Sequence, residues 1–145
     1  MGRARAGPER DLYDSYAKRV TWPLRLREIE EKRPLPPADL KEREGEMILA
    51  AIPPNSAVLA LDEGGRSYPS KEFARFIADI RDEGRACAVF VIGGAEGLSL
   101  PVRDRADILI SFGRQTWPHM LVRAMLMEQI YRAQQILAGH PYHRG

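Results

Sequence analysis

The sequence predicts an α/β domain built on a largely parallel sheet, because apolar strand patterns alternate along the chain with amphipathic helix patterns. The clearest buried strand covers 88–92, which is apolar throughout and runs directly into a glycine-rich loop. The longest helix pattern extends from Pro118 to about Leu137. At 145 residues, the whole chain fits one domain with a hydrophobic core of its own.

The remaining predicted elements are short and are separated by segments rich in Gly and Pro. Leu24 and Leu26 alternate with arginines, which predicts a half-buried strand. Ser70 is expected to cap the helix that it begins. In chain order the sequence predicts a helix over 8–19, a strand over 24–29, a helix over 38–51, a strand over 58–61 that leads into a turn at 63–65, a helix from Ser70 to Gly84, and a strand over 107–110.

The composition is that of an ordinary globular protein, with 44% hydrophobic and 29% charged residues. No apolar run approaches the roughly 20 residues that span a bilayer, and the N-terminus lacks the apolar core of a secretion signal. The single cysteine, Cys87, excludes an internal disulfide and a cysteine-based metal cluster. We therefore expect a cytoplasmic protein that does not bind a membrane. The net charge of +2 alone says little about a nucleic-acid partner.

The long helix pattern has two apolar faces instead of one. The first face consists of Val122, Leu126, Ile130, Ala133 and Leu137. The second consists of Met120, Ala124, Met127 and Tyr131. One face can cover the sheet of the same chain, and the other then needs a partner, which favours a homodimer. The alternative is a helix that is enclosed within the monomer.

Two predicted strands end in segments that suit ligand binding, because open α/β sheets bind ligands at the carboxyl ends of their strands. The loop 93–97 places three glycines there, and glycines let backbone amides approach a ligand closely. It matches neither a dinucleotide fingerprint nor a P-loop, so a tight turn without a ligand is the alternative. Asp62 ends the other strand, where an acid can hold a ribose hydroxyl. From the residues alone, we favour a turn aspartate.

The beginning of the long helix carries three side chains that suit RNA chemistry. Trp117 offers a face for base stacking, and His119 can carry a proton near neutral pH. Arg123, one turn further on, is a candidate ligand for phosphate or carboxylate. The ordinary alternatives are a helix-start histidine bonded to nearby backbone and a surface ion pair of Arg123.

The chain ends in the tail His140-Pro141-Tyr142-His143-Arg144. Tyrosine and histidine stack on bases and arginine binds phosphate, so a tail that contacts RNA or closes an active site suits this composition. Neither a carboxylate nor a third histidine lies nearby in the sequence, and we therefore expect no metal site. A frayed terminus is the alternative.

Together these segments resemble the ribosomal RNA large subunit methyltransferase H family, small enzymes of the SPOUT superfamily. The resemblance covers essentially the whole chain, and the glycine loop and the tail make it specific in combination. The matching segments, in order, are Leu61-Asp62, Ile92–Ser99, Pro118-His119, Val122-Arg123, Glu128, Tyr131–Ala133 and His140–Arg144.

The resemblance implies a single SPOUT domain over 1–145 that binds S-adenosylmethionine and forms a homodimer. It implies a C-terminal trefoil knot over about 88–137, followed by the tail 138–145. Members of the family open with a strand of about seven residues ahead of the segment that matches Gly2–Pro8, where this chain has Met1. The implied cofactor site consists of Leu61, Asp62, Gly94, Gly113, Arg114, Gln115, Thr116, Trp117 and Pro118.

The implied reaction is methylation of N3 of a pseudouridine in large-subunit (23S) ribosomal RNA, on the assembled ribosome. The tail of one subunit would complete the site of the other. The alternative function is that of a non-catalytic RNA-binding or ribosome-assembly protein that retains the fold. The residues expected around the reacting base are His119, Arg123, His140, Tyr142, His143 and Arg144.

Overall fold

Five helices and three strands make up the part of the chain that the computed structural model describes, residues 6–94 and 96–139. Most of them lie where the sequence predicts them, within one to five residues at either end. In chain order they are α1 (Pro8–Ala17), α2 (Pro37–Ala51), β1 (Ser56–Arg66), α3 (Ser70–Asp82), β2 (Cys87–Ile92), α4 (Leu100–Arg105), β3 (Ile108–Ile110) and α5 (His119–Leu137).

The sheet has the order β2-β1-β3, and β1 pairs in parallel with both neighbours, which confirms the predicted parallel sheet. β1 is the most buried strand, because residues 57–60 are each at most 3% exposed. Leu61 lies opposite Ile92 of β2 and Ile110 of β3. The carboxyl ends of all three strands therefore meet at one edge of the sheet.

Side chains of β1 point alternately into two separate apolar clusters, as the period of a strand requires. Leu59 joins residues of α3 and α5 on one face of the sheet. Val58 and Ala60 join Val102 of α4, with Ile48 of α2 packed against them, on the other face. The domain thus has helices on both faces of a parallel sheet, as an α/β architecture does.

α1 covers the second apolar face of α5, so the inference that this face needs a partner chain is wrong. Ala124, Met127 and Tyr131 are at most 7% exposed within this single chain. The ring centroids of Tyr131 and Tyr16 of α1 are 6.1 Å apart. The alternative, a helix enclosed within the monomer, is what the structure shows.

Three local predictions are also wrong. Residues 24–29 are extended but pair with no strand in the described part of the chain, because α2 and α5 are their neighbours. The predicted turn at 63–65 is part of β1, which continues to Arg66. The N-cap of α3 is Pro69, and the hydroxyl of Ser70 instead donates to Oε1 of Gln129 on α5 at 2.7 Å.

The sequence analysis also missed α4, a helix of six residues. Ser99 precedes it and Pro101 stands in its first turn, which is a local signal for a helix start. Its length gives too few positions for a helical period to be visible. α4 carries Arg103 toward the carboxyl edge of the sheet, where it contacts Asp62.

Candidate active site

The strand register brings the segments of the expected cofactor site to one place. Leu61 lies in the middle of the sheet, flanked in register by Ile92 and Ile110. The glycine loop follows Ile92 directly, and the segment 111–118 follows Ile110. Because Ile92 and Ile110 both pair with Leu61, these two segments start on either side of β1 at that residue. The structure thus assembles one site from segments that lie about 20 to 50 positions apart in the chain.

The glycine loop is folded tightly against itself. The amide of Gly97 donates to the carbonyl of Gly94 at 3.0 Å, and the two residues form an antiparallel bridge. A Cβ on Gly93 would lie 2.9 Å from the carbonyl carbon of Gly97, which is too close for any side chain. Gly97 has a φ of 80°, a conformation that favours glycine. The loop therefore presents main chain, with no side chain at 93, 94 or 97.

The segment after β3 is held in shape by its own polar groups. The hydroxyl of Ser111 accepts a hydrogen bond from the amide of Gly113 at 3.0 Å and donates to its carbonyl at 2.9 Å. Gly113 has a φ of 113°, again in the region that favours glycine. The indole of Trp117 donates to the carbonyl of Phe112 at 3.3 Å. The hydroxyl of Thr116 donates to Glu63 at 3.1 Å, which links this segment to β1.

The carboxylate of Asp62 binds a neighbouring amide of β1 and a side chain of α4. Its Oδ2 accepts the amide of Gly64 at 2.9 Å and lies 3.4 Å from a guanidinium nitrogen of Arg103. Both interactions keep the carboxylate at the edge of the site. Asp62 thus fixes the backbone that follows Leu61.

These residues fit a cofactor that is recognised through the main chain. Three glycines and a half-buried Leu61 line the edge, and side chains of the segment 114–117 are exposed. A Cβ at Gly93 would meet the carbonyl group of Gly97, so this glycine serves the tight packing of the loop, whereas a Cβ at Gly97 or Gly113 would meet nothing within 4 Å and the main chain there is open to a ligand. The adenine ring of S-adenosylmethionine has apolar faces and polar edges, and backbone amides and carbonyls of this kind can bind those edges.

His119 and Arg123 occupy the first turns of α5, beside this edge. Burial is the main cause that lowers the pKa of His119, and the positive charge of Arg123 lowers it further. His119 is therefore held in its neutral form more firmly than a free histidine. Neutral imidazole can accept a proton, so the arrangement suits a base.

Arg123 is only 3% exposed, so it does not form the surface ion pair that is ordinary for an arginine. Its nearest acid is Glu28, with 3.9 Å between Nη1 and Oε2. Nη1 and Nη2 have no hydrogen-bond partner among the described residues. Burying a guanidinium without satisfying its donors costs free energy. An unsatisfied buried group of this kind calls for an explanation, and a bound ligand would provide one.

Among the other predicted groups, Glu128 and Arg132 pair with each other, with 2.8 Å between Oε1 and Nε. The structure also shows three residues that the sequence analysis missed, Glu28, Glu63 and Arg103. The side chain of each contacts a residue that is distant in the chain, and no local sequence pattern signals such a contact. The remaining predicted residues, His140, Tyr142, His143 and Arg144, lie outside the described residues.

No group of three or more potential metal-ligating side chains comes together within 6–94 and 96–139. Over the same residues, the longest helices are too short or too polar to cross a bilayer.

Comparison with known proteins gives a consistent result over nearly the full chain. A family model described as "Predicted SPOUT methyltransferase" matches residues 1–143. The chain is 56% identical to a protein of Rhodospirillum centenum named "Ribosomal RNA large subunit methyltransferase H", over 99% of this chain and 95% of the relative. Proteins of the same name from Paramagnetospirillum magneticum and Rhodospirillum rubrum are 55% and 51% identical, with the same two coverages.

Proposed function

Since the chain belongs to the SPOUT methyltransferase family, we propose that it methylates N3 of a pseudouridine in large-subunit (23S) ribosomal RNA, on the assembled ribosome, with S-adenosylmethionine as donor. The observation that carries this proposal is the match to relatives of that name over nearly the full length of both chains. The three segments that meet beside Leu61 are consistent with it.

S-adenosylmethionine would be held by Leu61, Gly94 and the main chain of 113–118, with Asp62 keeping the backbone after Leu61 in place. When bound, it supplies a methyl group on a sulfonium centre, which is already strongly electrophilic. The protein's part is then mainly to position the base and to exclude water. Arg114, Gln115, Thr116 and Trp117 would contribute their backbone, because their side chains are exposed. Pro118 ends this segment and fixes the start of α5.

The N3–H of the base must lose its proton, and His119 is the candidate to accept it in the described part of the chain, because it stands at the start of α5 and burial keeps its imidazole neutral. Arg123 would stabilise the negative charge that develops on the base, since two of its nitrogens have unused donors. The tail residues His140, Tyr142, His143 and Arg144 would close the site of the partner subunit in a homodimer. The resemblance supports that dimer and the trefoil knot over 88–137, and a cytoplasmic location suits the substrate.

A non-catalytic RNA-binding or ribosome-assembly protein is the competing function. It requires the fold but no cofactor loop, and it has no need for an unsatisfied buried arginine. In the glycine loop of this chain, Gly94 and Gly97 are bridged, and Gly93 and Gly97 have contacts or a conformation that favour glycine. This favours the enzyme.

Two measurements test the proposal. Calorimetry of the purified protein should show S-adenosylmethionine binding, and absence of binding at high micromolar cofactor would favour the non-catalytic function. Mass mapping of ribosomal RNA from a deletion strain should show loss of one methyl group from a pseudouridine, and the gene should restore it. A methyl group that persists in the deletion strain contradicts the proposal.

Replacing Arg123 separates its function from its structural effect. We expect Arg123→Met to lower methylation of ribosomes about 100-fold, the loss typical of one charge-stabilising donor. The free energy of unfolding should change little, because the ion pair with Glu28 is long, at 3.9 Å, and the Glu28 that it leaves is partly exposed to water. The control is Arg75→Met, an exposed arginine of α3, which should leave both quantities unchanged. Normal turnover of the Arg123 variant would remove this residue from the reaction.

A further inference from the structure

α2 contains one buried residue, Gly45, in the middle of the helix. Glycine is unfavourable there, because it loses more backbone entropy than alanine and lowers helix propensity. The surroundings explain it. A Cβ at this position would clash with the hydroxyl of Ser99 and lie 3.0 Å from the Cβ of Ser99. The backbone of α2 therefore lies directly against Ser99, at a separation that only glycine permits.

Ser99 is fixed by this packing more than by hydrogen bonds. It is 2% exposed, and its hydroxyl has no hydrogen-bond partner among the described residues. It stands at the N-cap of α4, yet its side chain makes no capping bond. Its carbonyl accepts the amide of Arg103 at 3.1 Å, so that the position of Ser99 also sets the position of α4.

Ser99 stands two residues after the glycine loop, so its position also determines where that loop ends. Leu98, between them, is 4% exposed and belongs to the cluster beneath the sheet. A small cleft of about 10 Å³, open in part to solvent, lies between α2 and the loop. Gly45 and Ser99 line it together with Gly94 and Gly97. The contact between α2 and Ser99 thus lies in the same cleft as the two bridged glycines.

We propose that Gly45 is a positioning residue for the cofactor loop. By letting α2 lie against Ser99, it sets the position of Gly94 and Gly97 relative to Leu61, without touching the cofactor. The link to cofactor affinity rests on the function proposed above, whereas the effect on the loop does not. Any side chain at position 45 must push Ser99 and the end of the loop away from α2.

A pair of variants tests this contact. Gly45→Ala should raise the dissociation constant of S-adenosylmethionine at least tenfold, measured by calorimetry, although alanine is the better helix former. Ser99→Gly removes the two atoms that the new methyl group would meet too closely, and the third neighbour, Cγ2 of Val102, lies at an ordinary contact distance of 3.4 Å. The double variant Gly45→Ala/Ser99→Gly should therefore bind the cofactor within about threefold of Ser99→Gly alone. Glu46→Ala is the control, since its side chain is exposed and pairs only with Arg43 in the described residues.

Hydrogen exchange of the backbone amides from 94 to 99 provides a measurement that does not need the cofactor. Gly45→Ala should speed exchange at the amide of Gly97, which donates to Gly94, and the double variant should restore it. If the wild type binds no cofactor, the proposed function fails, and this exchange still decides the role of Gly45. Unchanged binding and exchange in Gly45→Ala would overturn the inference. A double variant with the same cofactor binding and hydrogen exchange as Gly45→Ala would also overturn it. The same holds if Gly45→Ala and the double variant both fail to fold.

Discussion

The two ends of the parallel sheet differ in the residues that surround them. At the amino end, charged side chains take the place of missing backbone partners. The carboxylate of Asp107 accepts the amide of Val58 at 2.7 Å, and the amide of Asp107 donates to the carbonyl of Val58 at 2.8 Å. Arg85 and Arg105 lie 3.7 and 3.5 Å from the same carboxylate. Arg105 also donates to the carbonyl of Ser56 at 3.0 Å.

At the carboxyl end, glycines take the place of these side chains. Gly65 lies so close to β3 that a Cβ would be 2.7 Å from the carbonyl group of Leu109. Gly93, Gly97 and Gly113 shape the loops on either side. The amino end is thus closed by side chains, while the carboxyl end leaves main chain available to a ligand. We therefore expect stability to depend mainly on the amino end and cofactor binding on the carboxyl end, and each end can be tested alone.

The largest effect is expected at the amino end, in Asp107→Ala. The change leaves the amide of Val58, a residue that is 0% exposed, without its acceptor. A buried unsatisfied donor costs about 2 kcal/mol of the free energy of unfolding, which corresponds to a melting temperature lower by about 5 °C. Thermal and denaturant unfolding measure it.

The matched control for that change is Asp107→Asn, which keeps an acceptor oxygen and loses only the charge. It should cost less than half as much, because the ion pairs with Arg85 and Arg105 are partly exposed and solvent screens them. Cofactor affinity should stay the same in the folded fraction of both variants. A large change in affinity would contradict the separation of the two ends.

The opposite end is tested by Gly65→Ala. The new methyl group would meet backbone atoms of Leu109 and Ile110, which cannot rotate away, so β3 and the segment after it must shift. We expect the dissociation constant of S-adenosylmethionine to rise about tenfold, equivalent to about 1.4 kcal/mol. Gly64→Ala is the control, because its methyl group would meet only the ends of the Asp62 and Arg103 side chains. Equal effects of the two changes would refute the steric argument.

Elements with a strong local signal could be predicted from the sequence. The buried run of β2 and the helical spacing of Phe73, Ile77 and Ile80 identified their elements, because their periods are visible in a few residues. Gly84, with a φ of 74°, ends α3 as expected. The helical period of α5 was equally visible, but the element that packs against its second apolar face was not. Only the packing of α1 shows what covers the second face.

The site could be predicted only through the family resemblance. Periodicity places Leu61 and the glycine loop at strand ends, but the register that joins them to 113–118 is a property of the sheet. The burial of Arg123 depends on its position near Glu28, in a segment that the sequence predicted as a strand. Gly45 gave a weak local signal, an isolated glycine within a helical pattern. The glycine is required because Ser99 approaches closely, and Ser99 lies 54 positions further along the chain (99 minus 45).

The smallest expected effect is the pH dependence that His119 adds at the carboxyl end. Burial, and then the charge of Arg123, lowers its pKa in the folded protein below the ordinary value of 6.5. As the pH falls, the unfolded chain therefore binds the proton first, and stability declines. This contribution is complete above about pH 6.5 and is lost as the pH falls through the lowered pKa.

Comparison of the wild type with His119→Gln isolates this contribution, because His140 and His143 titrate in both proteins. Between pH 7 and 5 the wild type should lose more of its free energy of unfolding than the variant, by a small amount, since His119 is only half-buried and solvent screens part of the effect. Urea unfolding at several pH values measures the difference. Parallel curves for the two proteins would mean that His119 titrates alike in the folded and unfolded states. A lowered pKa would then not explain why His119 is neutral beside Arg123.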